Sequence, residues 1–178
     1  MTENPQSEGH VSEAKVLIVV ESEFGNTRQI AEAIAEPFGD RAEVIEVDSA
    51  PTTLPEGVEL LIVGGPTHAF GLSSTSTRAD AARQGGSVTG GIRDWLVILR
   101  PRAGCRFATF DTKHSSMKHV PGSAAKKAAK LLIHKGFEAA DHPHDFFVGG
   151  TSGPLLDEEV DHARQWGEHL ASLSMPSV

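Results

Sequence analysis

Cysteine, tyrosine and long apolar runs are scarce in this sequence. Cys105 is the only cysteine, so the chain cannot form an internal disulfide or a multi-cysteine zinc or iron–sulfur site. No run approaches the roughly 18 apolar residues of a membrane span. The opening segment lacks a basic flank followed by an apolar stretch, so we expect no secretory signal. A net charge of −8 disfavours a nucleic-acid binder, which normally needs a basic face.

The composition is that of a globular protein. Hydrophobic residues make up 39% and charged residues 22%, which argues against wholesale disorder. The length of 178 residues fits one domain with a sizeable core. Residues 1–14 are polar and carry Pro5 and Gly9 without periodicity. We therefore expect a disordered tail at 1–14 followed by one cytoplasmic domain at 15–175.

Apolar, β-branched segments alternate with amphipathic ones along the rest of the chain. The predicted strands are 15–20, 42–47, 59–63, 105–110 and 145–148. The predicted helices are 27–38, 77–84, 92–99, 123–134 and 157–173. Thr27 is expected to cap the first helix and Gly39 to end it. This alternation predicts an α/β three-layer sandwich around a five-stranded parallel sheet.

Three loops that follow strands are rich in Gly, Ser, Thr and His: 21–27, 64–73 and 111–122. They lie at the carboxyl ends of the strands, where parallel sheets bind ligands. Loop 21–27 offers amides at a helix start, which suit an anion, but it lacks both nucleotide-loop signatures, so a terminal phosphate monoester fits best. Glu21 and Glu23 would have to point outward from such a site.

The segment Ser22-Glu-Phe-Gly-Asn-Thr27, after a buried first strand, resembles the phosphate loop of flavodoxins, which bind flavin mononucleotide (FMN). Gly65-Pro-Thr-His68 resembles the loop that those proteins place beside the isoalloxazine ring, and Phe110-Asp-Thr112 is similar to a third flavin loop. The resemblance covers about residues 15–173. It implies the strand order 2-1-3-4-5, with an uninterrupted fifth strand as in short-chain members.

The resemblance also assigns roles to residues. The phosphate loop would bind the phosphate, the second loop would form one wall of the flavin pocket, and the third would form the other wall. The implied cofactor-binding residues are Ser22, Glu23, Phe24, Gly25, Asn26, Thr27, Pro66, Thr67, His68, Ala69, Phe70, Gly71, Asp111, Thr112, Lys113 and His114. No catalytic residue is assigned, and His142 and His144 are interpreted as loop residues rather than metal ligands.

The absence of tyrosine departs from the family, whose members commonly place the ring between aromatic side chains. Trp95 and Trp166 fall in predicted helices and are expected to pack in the core or at its rim. Phe70, His68 or His114 would then have to stack on the ring. This departure predicts modest FMN affinity.

Three functions are compatible with these features. The leading hypothesis is an FMN-binding electron-transfer protein whose acidic surface meets a basic docking patch on a reductase or acceptor. The first alternative is an FMN-dependent oxidoreductase, such as a quinone reductase or a flavodoxin-like protoporphyrinogen oxidase. The second is a flavodoxin fold without FMN that binds a partner. A signalling receiver domain is disfavoured, because Gly64-Gly-Pro66 stands where an aspartate is needed.

Overall fold

The computed structural model describes residues 14–68, 71–83 and 91–174. Of the tail expected at 1–14, residues 1–13 lie outside these ranges, whereas Ala14 is described and buried. Its strands are β1 (Val16–Val20), β2 (Ala42–Glu46), β3 (Leu60–Pro66), β4 (Arg106–His114), β5 (Glu138–Ala139) and β6 (His144–Val148). The pairings between these strands are parallel, in the order β2-β1-β3-β4-β5, and β6 also pairs with β4. The predicted strand order is confirmed.

The fifth position of the sheet is shared by two short strands. β5 pairs with the start of β4 and β6 with its end, so the prediction of an uninterrupted fifth strand is wrong. Residues 140–143 form the break. Pro143 has no backbone N–H to donate to a neighbouring strand. The side chain of Asp141, also in the break, accepts a hydrogen bond from Trp166 Nε1 at 2.8 Å.

The helices cover both faces of the sheet. They are α1 (Asn26–Ala35), α2 (Thr75–Arg83), α3 (Ile92–Ile98), α4 (Ala124–His134) and α5 (Glu159–Ser174). One apolar cluster joins β1 and β3 to α3 and α4, and a second joins the opposite sheet face to α1 and α5. This arrangement is the three-layer sandwich expected from the sequence. Of the described helices, none combines the length and hydrophobicity that a membrane crossing requires.

Strands β3 and β4 extend further than their sequence pattern predicts. β4 continues through Asp111, Thr112, Lys113 and His114, so the predicted loop boundary at residue 111 is wrong. These polar residues remain in the ladder because β3 pairs with one side of β4 and β6 with the other. Buried polar side chains at the end of β4 are thereby fixed by sheet register rather than by a loop.

The packing of α5 on α1 positions the start of α1. A β-carbon on Gly167 in α5 would overlap the backbone carbonyl of Ile34 in α1, so the two helices meet at backbone distance. Ile30 and Ile34 of α1 are fully buried against this interface and the sheet. The orientation of α1, and hence of the loop before it, is fixed by this core.

Candidate functional site

A pocket of about 270 Å³ opens at the carboxyl ends of the strands. We call it the strand-end pocket. Its lining residues are Glu23, Phe24, Asn26, Thr27, Pro66, Thr67, His68, Thr112, Lys113, His114, Met117, Val148, Gly150 and Thr151. They come from the segments after β1, β3 and β6 and from the end of β4, so the predicted convergence of three segments occurs with a fourth added.

The start of α1 presents backbone N–H groups to this pocket. Gly25 precedes the helix with φ 89°, a left-handed conformation that glycine adopts readily, and its position supplies no side-chain cap. The Arg28 amide donates to Ser22 Oγ at 3.2 Å. The amides of Asn26 and Thr27 belong to the first turn, which has no intrahelical acceptors. An anion at this end of α1 would meet both amides and the positive end of the helix dipole.

Thr27 does not cap the helix, contrary to the prediction from its position. It lies inside the first turn, and its Oγ1 is 2.8 Å from Thr112 Oγ1. The cap position belongs to Gly25, which has a left-handed conformation that glycine adopts without steric cost. The hydroxyl pair instead joins the start of α1 to β4.

Two glutamates that follow β1 point inward. Glu23 is buried in the pocket wall, and neither of its carboxylate oxygens has a hydrogen-bond partner in the described part of the chain. His68 Nε2 lies 3.0 Å from Glu23 Oε2, an ion-pair distance, but the angle does not make a hydrogen bond. The outward orientation that a phosphate would favour is therefore not found for Glu23.

Glu21 lies deeper, under the segment that follows β3. Its Oε1 accepts a hydrogen bond from Ser73 Oγ at 2.6 Å, and Arg78 Nη1 lies 3.8 Å away. Burial is the main cause that raises the pKa of Glu21 from 4.5 to about 7, with a further rise from nearby Glu23. We call Glu21, Glu23, His68, Ser73 and Arg78 the β1 cluster.

A second polar cluster supports the opposite wall. Asp111 Oδ2 accepts hydrogen bonds from Thr67 Oγ1 at 2.9 Å, Ser123 Oγ at 2.5 Å and the Ala125 amide at 3.2 Å. Burial, followed by the charge of Asp145, raises the pKa of Asp111 from 3.8 to about 6. Asp111 lies behind the pocket wall and positions Thr67 within it.

Lys113 is buried in the pocket wall and pairs with Asp145 through a 2.9 Å contact. Although burial alone would raise the pKa of Asp145, the hydrogen bond from Lys113 lowers it. The positive charge of Lys113 is thus largely balanced within the protein. We call Asp111, Lys113, Ser123 and Asp145 the β4 cluster.

The segment after β6 was missed by the sequence reasoning. Val148, Gly150 and Thr151 line the pocket, and a β-carbon on Gly153 would lie 2.7 Å from the Asn26 side chain. The run Gly149-Gly-Thr-Ser-Gly-Pro154 is a strand-end loop as rich in glycine and hydroxyls as the other three, and this signal could have identified it. Met117, which follows β4, completes the wall.

Most of the predicted site residues meet at the pocket. Ser22, Gly25, Gly71 and Asp111 are neighbours of the wall rather than part of it. Ala69 and Phe70 lie outside the described residues.

The tryptophans and the histidines near residue 142 lie away from the pocket. Trp95 is buried and donates to the Pro51 carbonyl, as its predicted helical position suggests. His144 stacks on buried Trp166 with ring centroids 5.0 Å apart. Within the described ranges, no group of three or more His, Cys, Asp or Glu side chains could hold a metal ion.

Known structures share this architecture. Flavodoxin 2 from Bacillus cereus aligns with a TM-score of 0.66 and 19% identity, covering 89% of this chain and 99% of its own. The chain has a flavodoxin-like fold. A flavodoxin from the domain Archaea aligns with a TM-score of 0.62 and 19% identity, covering 88% of this chain and 96% of its own. The Flv1 flavodiiron core of Synechocystis has a TM-score of 0.63 and 18% identity, with coverages of 93% and 37%.

No family model matches the sequence, and no curated protein does. The similarity to flavodoxins is therefore a similarity of fold and not of sequence. The residues of the pocket have to be interpreted from their own chemistry.

Proposed function

We propose that this chain binds FMN in the strand-end pocket and transfers electrons between partner proteins. The observation that supports it most is the start of α1, where the Asn26 and Thr27 amides have no intrahelical acceptor and Asn26 and Thr27 line a pocket at the carboxyl ends of parallel strands. Such a helix start suits a phosphate monoester, and the rest of the ligand would extend into the adjoining open pocket.

The phosphate would be bound by backbone groups more than by hydroxyls. The Asn26 and Thr27 amides lie in the first turn of α1, whereas Ser22 Oγ already caps Arg28 and Thr27 Oγ1 already contacts Thr112. Among the described lining residues, Glu23 is the one whose carboxylate opposes an anion on this side of the pocket. The donor set therefore fits a phosphate, with one unfavourable neighbour.

The flavin ring would lie between two walls. One contains Thr67 and His68, and the other contains Thr112, Lys113 and His114. Ala69, Phe70 and Gly71 stay predicted contacts of the first wall. A bound flavin supplies reversible uptake of electrons and protons, and the walls orient it and set the charge around it. The net charge of −8 supports the proposal that a partner docks through a basic patch.

Titration of the protein, freed of bound flavin, with FMN tests the proposal through quenching of flavin fluorescence and a shifted visible band. The decisive variant is Asn26→Asp. Its added negative charge favours the start of α1 but repels a phosphate, so FMN affinity should fall by about tenfold or more without loss of stability.

Gln29→Glu is the matched control, because it adds the same charge at an exposed position on the same helix. It should leave FMN affinity within about threefold of the wild type, a difference of under 1 kcal/mol. Failure of the wild type to bind micromolar FMN would overturn the proposal and favour the partner-binding alternative. Rapid NAD(P)H oxidation with a quinone as acceptor would instead favour the oxidoreductase.

A further inference from the structure

Glu23 is the unexplained residue of the strand-end pocket. It follows β1, lines the same wall as Asn26 and Thr27, and is 95% buried, with 5% of its surface exposed. Neither carboxylate oxygen has a hydrogen-bond partner in the described ranges. Leaving a buried carboxylate without donors is costly, and it is unusual beside helix amides that attract anions.

Two basic residues of the β1 cluster, His68 and Arg78, could offset the charge of Glu23. His68 Nε2, 3.0 Å away, neutralises it only when protonated. Arg78 lies against Glu21 and also donates to Asp94 at 3.0 Å, so its charge is divided between two other carboxylates.

The remaining charged groups of the pocket lie on the β4 side. Lys113 is paired with Asp145 at 2.9 Å. His114, also in the wall, accepts a hydrogen bond at Nδ1 from the Ser116 amide. The β4 side therefore adds little positive charge to offset Glu23.

We propose that Glu23 is a selectivity residue that lowers the affinity of the pocket for a phosphate monoester relative to the same ligand without its phosphate. This inference deepens the proposed function, because the ligand pair is FMN and riboflavin. A phosphate dianion at the α1 amides would lie beside a buried carboxylate of the same sign, whereas riboflavin adds no charge. Wild-type protein should then bind FMN little better than riboflavin.

The first measurement compares the dissociation constants of FMN and riboflavin for wild type and Glu23→Gln at one neutral pH. Glutamine keeps the shape and removes the charge. We expect FMN binding to tighten by about tenfold or more in the variant and riboflavin binding to change by less than about threefold. Glu32→Gln, which removes an exposed carboxylate farther along α1, should change neither value.

The second measurement needs no flavin. Inorganic phosphate is titrated into both proteins while the backbone amide resonances of Gly25, Asn26 and Thr27 are followed by NMR. Glu23→Gln should saturate at a phosphate concentration lower than wild type by about tenfold.

The two measurements separate this inference from the proposed function. Equal phosphate responses in wild type and Glu23→Gln, including no response in either, would overturn the selectivity role whatever flavin does. A gain of phosphate binding without binding of either flavin would support the role of Glu23 and overturn the FMN proposal. Equal tightening of FMN and riboflavin would also contradict the selectivity role, because the carboxylate would then act on the ring.

Discussion

The β1 and β4 clusters each contribute to or lie behind the wall of the strand-end pocket, and their buried carboxylates have different hydrogen-bond partners. In the β4 cluster, Asp111 Oδ2 accepts three hydrogen bonds, Asp111 Oδ1 accepts none among the described residues, and Asp145 is paired with Lys113. In the β1 cluster, Glu21 accepts one hydrogen bond and Glu23 accepts none among the described residues. The two sides bury similar charges with very different numbers of donors.

This difference separates a structural role from a binding role. A buried carboxylate with several donors recovers part of its lost hydration, and its removal leaves those donors unsatisfied. A buried carboxylate with few donors is already destabilising, so its removal costs the fold little. We therefore expect stability to depend on the β4 cluster and ligand selectivity to depend on the β1 cluster.

The largest effect is expected for Asp111→Ala. It leaves the Thr67 hydroxyl and the Ala125 amide without their acceptor and leaves Ser123 Oγ with only the longer 3.4 Å contact to Asp145, at a cost of about 4 kcal/mol in the free energy of unfolding. Urea denaturation measures the loss, and Asp111→Asn, which keeps one acceptor oxygen, should lose less. A loss below about 1 kcal/mol would contradict the expectation that stability depends on the β4 cluster.

The next effect is a pH dependence that arises from Glu21. Its pKa is about 7 in the folded protein against 4.5 as its ordinary value, so between these pH values the folded state holds a proton that the unfolded state has released. Stability should fall as pH rises through this window and then level off. The full change is about 3 kcal/mol.

Glu21→Gln should remove this fall, because glutamine does not titrate. Unfolding free energies of wild type and Glu21→Gln at several pH values give the difference directly, and the contribution of Asp111 is common to both and cancels. A difference that stays constant from pH 4.5 to about 7 would show that Glu21 is not held protonated.

The smallest effect is expected at the outer end of the β1 cluster. Asp94 pairs with Arg78 at 3.0 Å, but its side chain is 70% exposed. Exposed ion pairs contribute little, so Asp94→Asn should change the free energy of unfolding by about 0.5 kcal/mol or less. A loss above about 1 kcal/mol would mean that Arg78 needs Asp94 to hold Glu21, and that the β1 cluster carries stability too.

The central strands of the sheet could be predicted because each is a short run of apolar residues in the sequence. Residues 16–20 form a continuous apolar run that is buried on both faces, as is typical of a central strand in a parallel sheet. The end of β4 was not predictable, because Asp111 and Lys113 look like loop residues. Their burial depends on Ser123 and Asp145, which are 12 and 32 positions away from them in sequence.

The location of the site could be predicted from the sequence, but the inward orientation of its two glutamates could not. Loop composition identified three of the four segments that surround the pocket. The inward direction of Glu21 and Glu23 depends on Ser73, Arg78 and His68, which approach from the chain after β3. Such contacts between residues far apart in the sequence cannot be predicted from the residues next to each glutamate.

The contact between Thr27 Oγ1 and Thr112 Oγ1 limits what the pocket can display. The oxygens are 2.8 Å apart, so one hydroxyl must donate to the other, and only the acceptor keeps its hydrogen for a third group. Both residues line the pocket. A ligand atom that takes a hydrogen from Thr112 would commit Thr27 to donate across the pair, and the reverse holds at Thr27. At any moment, therefore, only one of these two hydroxyls can donate a hydrogen bond to a ligand. A ligand that accepts from one of them leaves the other able only to accept.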